Sequence, residues 1–234
     1  MPGYQVKQET HLLGNSHFEI RSLLDRQQYA DPDGAALAAG ISSASWPLFG
    51  MVWPSARMLA NAMQTQDLVG KRILEIGCGL ALASLVIHRR LGDITASDCH
   101  PLTEAFLEEN VRLNALPHLK YQTGHWGRDN LDLGKFDLII ASDVLYERDQ
   151  PETLSRFIDQ HSSDPVNIIV LDPDRGNRNG FCRRMVGLGY VLDLQRAGTR
   201  QSTGEAYKGH FLNFSRGRPA PLSPAPASVI GLLL

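Results

Sequence analysis

The stretch that decides the fold is KRILEIGCGLALASLVIHRR, residues 71–90. It opens with ILEI, a short apolar run that is typical of a fully buried strand. From position 80 to position 91, apolar residues recur at the spacing of a helix with one buried face. Gly77 and Gly79 therefore stand at a strand-to-helix turn, where the missing Cβ atoms let the backbone approach a ligand.

Two ligands compete for this turn. The dinucleotide fingerprint, Gly-x-Gly-x-x-Gly, needs a third glycine so that helix and strand can pack closely over a pyrophosphate. Here that position is Leu82. S-adenosylmethionine has no phosphate, and its ammonium and cationic sulfur suit a nearby carboxylate such as Glu75. A third interpretation is an ordinary tight turn with Glu75 facing solvent.

A second acid narrows the choice of ligand. The segment GDITASDCHP predicts a short strand over residues 94–97 that ends at Asp98. A carboxylate about 20 residues past such a glycine turn can hold the ribose hydroxyls of an adenosine. The alternative is that Asp98 caps the helix that begins near Pro101. The spacing favours the ribose, and Leu82 at the third position then favours S-adenosylmethionine as the cofactor.

Strands and helices alternate along most of the chain, which predicts an α/β fold with a mostly parallel sheet and helices on both faces. An N-terminal β-hairpin over residues 4–24 turns at GNSH, and a small-residue connector follows it. The predicted helices cover 54–66, 80–91, 102–114, 150–160 and 178–188; the predicted strands cover 73–77, 94–98, 119–123, 136–141, 166–171, 190–196 and 207–214.

These elements predict one main domain with two appendages. Residues 1–52 form the hairpin and connector, which pack on the core, and residues 53–215 form the main domain. Residues 216–234 are predicted to form an unfolded tail. Most of this segment is the Pro-rich sequence RPAPLSPAPASVIGLLL, residues 218–234.

Composition disfavours several classes of function. The 23 Lys and Arg residues nearly balance 25 Asp and Glu residues, and no basic patch indicates a nucleic-acid partner. Three cysteines without a CxxC pair cannot build a disulfide framework, which indicates a reducing, cytoplasmic location. The N-terminal stretch MPGYQVKQETHLLG lacks the apolar core of a signal peptide, and SVIGLLL is too short to cross a membrane. No His or Cys spacing indicates a metal site.

The chemistry is expected at the carboxyl ends of the strands, where open α/β sheets bind ligands. The fourth strand of the main domain ends in ASDVLYE, so Ser142, Asp143 and Tyr146 should face this crevice. The alternative is that Asp143 caps a turn and Tyr146 packs as a partly buried aromatic. For the later segment LDPDRGNRNGF we favour a structural turn at residues 172–174 over a substrate-binding lip.

Taken together, VWPSARMLA, ILEIGCGLALASL, ASDCHP and FDLIIASDVLYE resemble the Rossmann-like seven-strand S-adenosylmethionine-dependent methyltransferases. More narrowly, the chain resembles methyltransferase family 16, which includes protein-lysine methyltransferases. The Trp-Pro before the first helix and the Asp-x-x-Tyr after the fourth strand carry the narrower resemblance, which spans residues 5–215.

The resemblance implies roles for individual residues. It implies that Asp143 and Tyr146 border the methyl-transfer site as catalytic residues. Combined with the motifs above, it gives a cofactor-binding set of Trp53, Glu75, Gly77, Cys78, Gly79, Asp98, Cys99, Trp126 and Ser142.

The resulting prediction is a monomeric, cytoplasmic S-adenosylmethionine-dependent methyltransferase that acts on a lysine side chain of a protein, without nucleic-acid or membrane partners. The alternatives are a small-molecule N- or O-methyltransferase and a cofactor-binding scaffold without transfer activity. A nicotinamide-dependent oxidoreductase is disfavoured by Leu82.

Overall fold

A computed structural model of the chain describes residues 4–13, 15–128, 130–148, 150–198 and 204–217. The strands are β1 (Val6–Leu13), β2 (Ser16–Leu23), β3 (Arg72–Ile76), β4 (Asp93–Asp98), β5 (Lys120–Thr123), β6 (Phe136–Ser142), β7 (Ser162–Asp172), β8 (Val191–Arg196) and β9 (His210–Arg216). The α-helices are α1 (Ala35–Ala38), α2 (Pro54–Ala62), α3 (Leu82–Arg89), α4 (Thr103–Leu113), α5 (Gln150–His161) and α6 (Arg178–Gly187). Short 3-10 helices cover Trp46–Gly50 and Leu131–Leu133.

Seven strands form one sheet in the order β5-β4-β3-β6-β7-β9-β8. The strands from β5 to β7 run parallel, whereas β9 pairs antiparallel with both β7 and β8. This confirms the predicted mostly parallel α/β fold. The chain changes direction across the sheet between β3 and β6, and such a switch point opens a crevice at the carboxyl ends of the strands.

Two hydrophobic cores cover the two faces of the sheet. On one face, side chains of α2, α3, α4 and the hairpin pack against alternate residues of the central strands, such as Ile73 and Ile140. On the other face, α5 and α6 pack against the intervening residues, such as Leu74 and Ile139. The helices therefore lie on both faces, and the period-two alternation of strand side chains decides which core each residue joins.

The predicted N-terminal hairpin is present as a separate two-stranded antiparallel sheet. Two asparagines of α4 hold it in place through the backbone of β2. Asn110 accepts a hydrogen bond from Arg21 N–H at 2.8 Å, and Asn114 accepts one from Glu19 N–H at 3.0 Å. Each amide also donates back to the carbonyl of the same β2 residue. These contacts supply hydrogen-bond partners to backbone N–H and C=O groups at the outer edge of β2. The edge strand of a sheet otherwise leaves such groups unpaired.

Several predicted boundaries are wrong by a few residues. The helix predicted from residue 80 begins at Leu82, because Ala81 has a left-handed φ of 56° and continues the turn. The helix predicted to reach residue 66 ends at Ala62. The connector, predicted without elements, contains α1 and the 3-10 helix Trp46–Gly50. The predicted unfolded tail lies, from residue 218 onward, outside the described residues.

Candidate active site

A cavity of about 780 Å³ lies at the carboxyl ends of β3, β4 and β6. Its volume falls within the range of pockets that hold cofactors and small ligands. Ten of the predicted site residues line it: Trp53, Gly77, Cys78, Gly79, Asp98, Cys99, Trp126, Ser142, Asp143 and Tyr146. The parallel sheet brings these residues together because the carboxyl ends of its strands meet along one edge.

The glycine turn that follows β3 has no room for side chains. Gly77 and Gly79 have positive φ angles of 59° and 51°. A Cβ atom on Gly79 would lie 2.8 Å from the carbonyl oxygen of Phe49, and one on Gly77 would lie 2.8 Å from Val144 Cγ1. Both conformation and space therefore require glycine at these positions.

Asp98, the last residue of β4, fixes the shape of this turn. Its Oδ2 accepts a hydrogen bond from Gly79 N–H, and its Oδ1 accepts one from His100 N–H, both at 2.9 Å. The residue that precedes α4 is Leu102, so Asp98 does not cap that helix. Burial raises the pKa of Asp98, while the backbone donors oppose that rise. Asp98 lines the cavity, and each carboxylate oxygen has a second lone pair that could accept a hydrogen bond from a ribose hydroxyl.

Glu75 does not line the cavity, which corrects its predicted place beside the cofactor. Its side chain is 2% exposed, and Oε2 accepts hydrogen bonds from both the backbone N–H and the hydroxyl of Ser84. Burial raises the pKa of Glu75 to about 7, and the Ser84 hydrogen bonds oppose that rise. Glu75 points from the buried strand towards the first turn of α3, where backbone N–H groups lack helical partners. It therefore supports the turn from behind.

Two cysteines and two tryptophans, Cys78, Cys99, Trp53 and Trp126, add apolar or weakly polar surface to the cavity. Burial raises the pKa of the Cys78 thiol well above its ordinary value and that of Cys99 to about 12, so both thiols are protonated. Trp126 lies within 3.3 Å of the position that a Cβ on Gly77 would take. Trp53 donates from Nε1 to the carbonyl of Leu48 at 2.8 Å, which orients its indole ring.

Asp143, which also lines the cavity, follows β6 in a left-handed conformation with φ of 57°. Its backbone N–H donates to the carbonyl of Leu171 in β7 at 2.9 Å. Its carboxylate is paired with a guanidinium: Arg175 Nε donates to Oδ1 at 2.6 Å and Nη2 donates to Oδ2 at 3.0 Å. Tyr146 is 43% exposed and lies at the mouth of the cavity. These residues form what we call the aspartate–arginine end, and the glycine turn with Asp98 forms the glycine-turn end.

Sequence reasoning missed several contributors to the cavity, among them Arg175 and the N-terminal connector. Arg175 belongs to the segment for which a structural turn was favoured, and its pairing across loops leaves no local signal. The N-terminal connector also supplies part of the wall, including Arg26, Ile41 and Ser45. Ser45 Oγ lies 3.4 Å from Glu147 Oε1, which joins the connector to the loop after β6.

The residues of the glycine turn fit an adenosine-based cofactor without phosphate. The turn presents a carboxylate at Asp98 and protonated thiols at Cys78 and Cys99, and these groups offer no positive charge to a pyrophosphate.

In the described part of the chain, no cluster of three or more His, Cys, Asp or Glu side chains could hold a metal ion. Among the described helices, none is both long and apolar enough to cross a bilayer.

The fold is shared with solved structures of S-adenosylmethionine-dependent methyltransferases. Similar solved structures include a 16S rRNA N2 G1207 methyltransferase of T. thermophilus in complex with AdoMet and guanosine, with a TM-score of 0.60 at 13% identity, covering 93% of this chain and 52% of that chain. Another is the ribosomal protein L11 methylase of Lactobacillus delbrueckii subsp. bulgaricus, with a TM-score of 0.54 at 19% identity over 70% of this chain and 79% of that one.

Within that class, the family model described as lysine methyltransferase matches residues 44–185, more than half of the chain. The protein therefore belongs to this family. Among curated relatives, it is 28% identical to the calmodulin-lysine N-methyltransferase of Arabidopsis thaliana, over 60% of this chain and 51% of the relative. It is 34% identical to the human histone-arginine methyltransferase METTL23, over 44% of this chain and 58% of the relative. These matches span between half and two thirds of each relative's length.

Proposed function

We propose that this protein transfers a methyl group from S-adenosylmethionine to a lysine side chain of a protein substrate. The observation that carries the proposal is one cavity that joins the glycine turn and Asp98 to Asp143 and Tyr146. Family membership supports lysine as the acceptor. The relatives named as lysine methyltransferases of calmodulin and of EEF1A support a protein substrate.

When bound, S-adenosylmethionine supplies an electrophilic methyl group on a sulfonium. The chain must then hold the acceptor amine in line and keep water out. A free lysine is an ammonium with a pKa near ~10.4 and has no lone pair for attack. The aspartate–arginine end of the cavity must therefore receive the amine without stabilising its charged form. Asp143 can accept an N–H from the amine, and Tyr146 can wall the cavity mouth.

A second candidate is protein-arginine methylation, because a histone-arginine methyltransferase is among the relatives, at 34% identity. A small-molecule acceptor and a scaffold without transfer activity are the remaining alternatives. A cytoplasmic location is also proposed, and the free state of Cys78, Cys99 and Cys182 supports a reducing compartment. The monomeric state stays a prediction.

The test is incubation with tritiated S-adenosylmethionine and a cell lysate, followed by hydrolysis of each labelled protein band and separation of the methylated amino acids. Label in methyl-lysine is the expected result. Label in methyl-arginine would favour the second candidate, and label confined to small molecules would overturn a protein acceptor. Asp98→Ala, with its cofactor grip weakened, serves as the control for enzyme-dependent label.

A further inference from the structure

Arg175 occupies a place in the cavity to which no motif assigns a role. It meets the carboxylate of Asp143 with two parallel donors, the fork arrangement that makes guanidinium–carboxylate pairs strong and directional. The side chain of Asp143 is only 11% exposed, and that of Arg175 is 39% exposed. The carboxylate at the aspartate–arginine end is therefore held and charge-balanced.

Two neighbouring residues of β7 anchor both partners of this pair. The carbonyl of Leu171 accepts the backbone N–H of Asp143, and Oδ1 of Asp172 accepts the backbone N–H of Arg175 at 2.8 Å. Asp172 is fully buried, and burial raises its pKa to about 6. A buried side chain thus fixes the turn that returns Arg175 towards Asp143, so the pair is part of the fold and not a chance surface contact.

The charge balance has a chemical consequence for an amine acceptor. A carboxylate without a paired cation stabilises a neighbouring ammonium and raises its pKa. A cation bound to the carboxylate cancels most of that effect. A carboxylate bound by a guanidinium fork still has lone pairs that can accept an N–H. The pair can therefore orient an amine without holding it in its protonated, unreactive form.

We propose that Arg175 is a positioning and specificity-determining residue that holds Asp143 in place and cancels its charge, so that the site receives the acceptor amine in its neutral form. The identity of the acceptor as an amine rests on the proposed function. The held, charge-balanced state of the pair rests on its geometry alone.

Other charged and titratable groups face the pair or line the same cavity, and each stays constant in the experiments below. They come from the loops after β4, β5, β6 and β7, the segment before β9, the connector and the end of β4, and they include His100, His125, Arg128, Tyr146, Glu147, Asp172, Asp174, Tyr207, Arg26 and Asp98.

The first experiment measures binding and needs no turnover. The probe is n-butylammonium, a mimic of the lysine side chain, titrated by NMR into the full chain saturated with S-adenosylhomocysteine. Arg175→Gln exposes the carboxylate, and we expect it to bind the probe roughly tenfold more tightly than the unmodified protein, the scale of one partly screened unit charge. Arg184→Gln is the matched control, because Arg184 pairs with Glu152 at 3.0 Å on the outer surface of α6. Equal probe affinity in Arg175→Gln and the unmodified protein would overturn the proposal.

The second experiment separates positioning from a merely structural role. With a methyl-accepting protein substrate, Arg175→Gln should lower kcat. The pH profile of kcat should move about one unit to higher pH, and KM should not rise. Arg175→Lys keeps the charge without the fork and should restore the pH profile but only part of kcat. A uniform loss of kcat at every pH would overturn the proposal. If the unmodified protein transfers no methyl group, the proposed function fails, and the probe titration still decides the role of Arg175.

Discussion

The two ends of the cavity are built by different means. At the glycine-turn end, backbone conformation and one acidic side chain define the shape: Gly77 and Gly79 take left-handed angles, and Asp98 accepts the N–H of Gly79. At the aspartate–arginine end, side chains from two separate loops meet, and Asp143 is paired with Arg175. The first end is local in sequence, whereas the second depends on contacts between residues 32 positions apart.

This difference explains where specificity can change. A backbone turn that tolerates only glycine recognises the part of the ligand that all members of the class share. An ion pair between loops can be altered by one substitution in either loop, because loop residues are less constrained by the core. We therefore expect substitutions at the two ends to affect separate steps, with cofactor affinity governed by one end and methyl transfer by the other.

The largest effect is expected from Gly79→Ala. The new Cβ would lie 2.8 Å from the carbonyl oxygen of Phe49, and the left-handed backbone adds strain. Together these costs come to about 2–5 kcal/mol, which we expect to appear as lost stability and lost affinity for S-adenosylhomocysteine in calorimetry. Gly187→Ala is the control, because no atom lies within 4 Å of its added Cβ. Normal cofactor affinity in Gly79→Ala would show that the turn does not shape the site.

A smaller effect is expected from Asp98→Ala. Removing a charged acceptor from the ribose should weaken cofactor binding by about 1.5–3 kcal/mol. The same change removes the acceptors of Gly79 N–H and His100 N–H, so thermal unfolding must be measured alongside calorimetry. A variant that loses stability but binds the cofactor as before would limit Asp98 to holding the turn.

The smallest effect concerns Glu75 and depends on pH. Burial raises its pKa to about 7, above the unfolded value of about 4.3. Because the folded state binds the proton more tightly, this group's contribution to stability is greatest below the unfolded pKa and is lost as pH rises through 7. Glu75→Gln keeps an acceptor for Ser84 but does not titrate. The difference in free energy of unfolding between this variant and the unmodified protein should therefore move in favour of the variant by about 1–2 kcal/mol between pH 4 and pH 8.

Denaturant unfolding at several pH values checks this prediction. Glu75→Ala should instead lose stability at every pH, since the buried N–H of Ser84 then lacks its acceptor. Cofactor affinity should change little in Glu75→Gln. A large loss of affinity in that variant would restore the contact with the cofactor that the sequence predicted and the structure does not show.

The sequence predicted the elements that repeat a local pattern. The alternation of strands and helices gave the sheet, and the glycine spacing placed the turn and Asp98 in one cavity. It could not show that Glu75 faces α3, because a strand residue next to a turn can point to either side. Arg175 was missed because its partner lies in another loop, and no local sequence pattern predicts a contact between two loops. The connector was missed as a wall of the cavity for the same reason.

The most direct test of this account is a pair of measurements on Asp143→Asn, which keeps the shape of the side chain and removes its charge. We predict that its affinity for S-adenosylhomocysteine, measured by calorimetry, changes little, while the rate of methyl transfer falls by about 10²-fold, typical of losing one positioned polar group in an active site. Lost cofactor affinity would place Asp143 in the cofactor's own site, and an unchanged rate of transfer would contradict the division of the cavity into two ends.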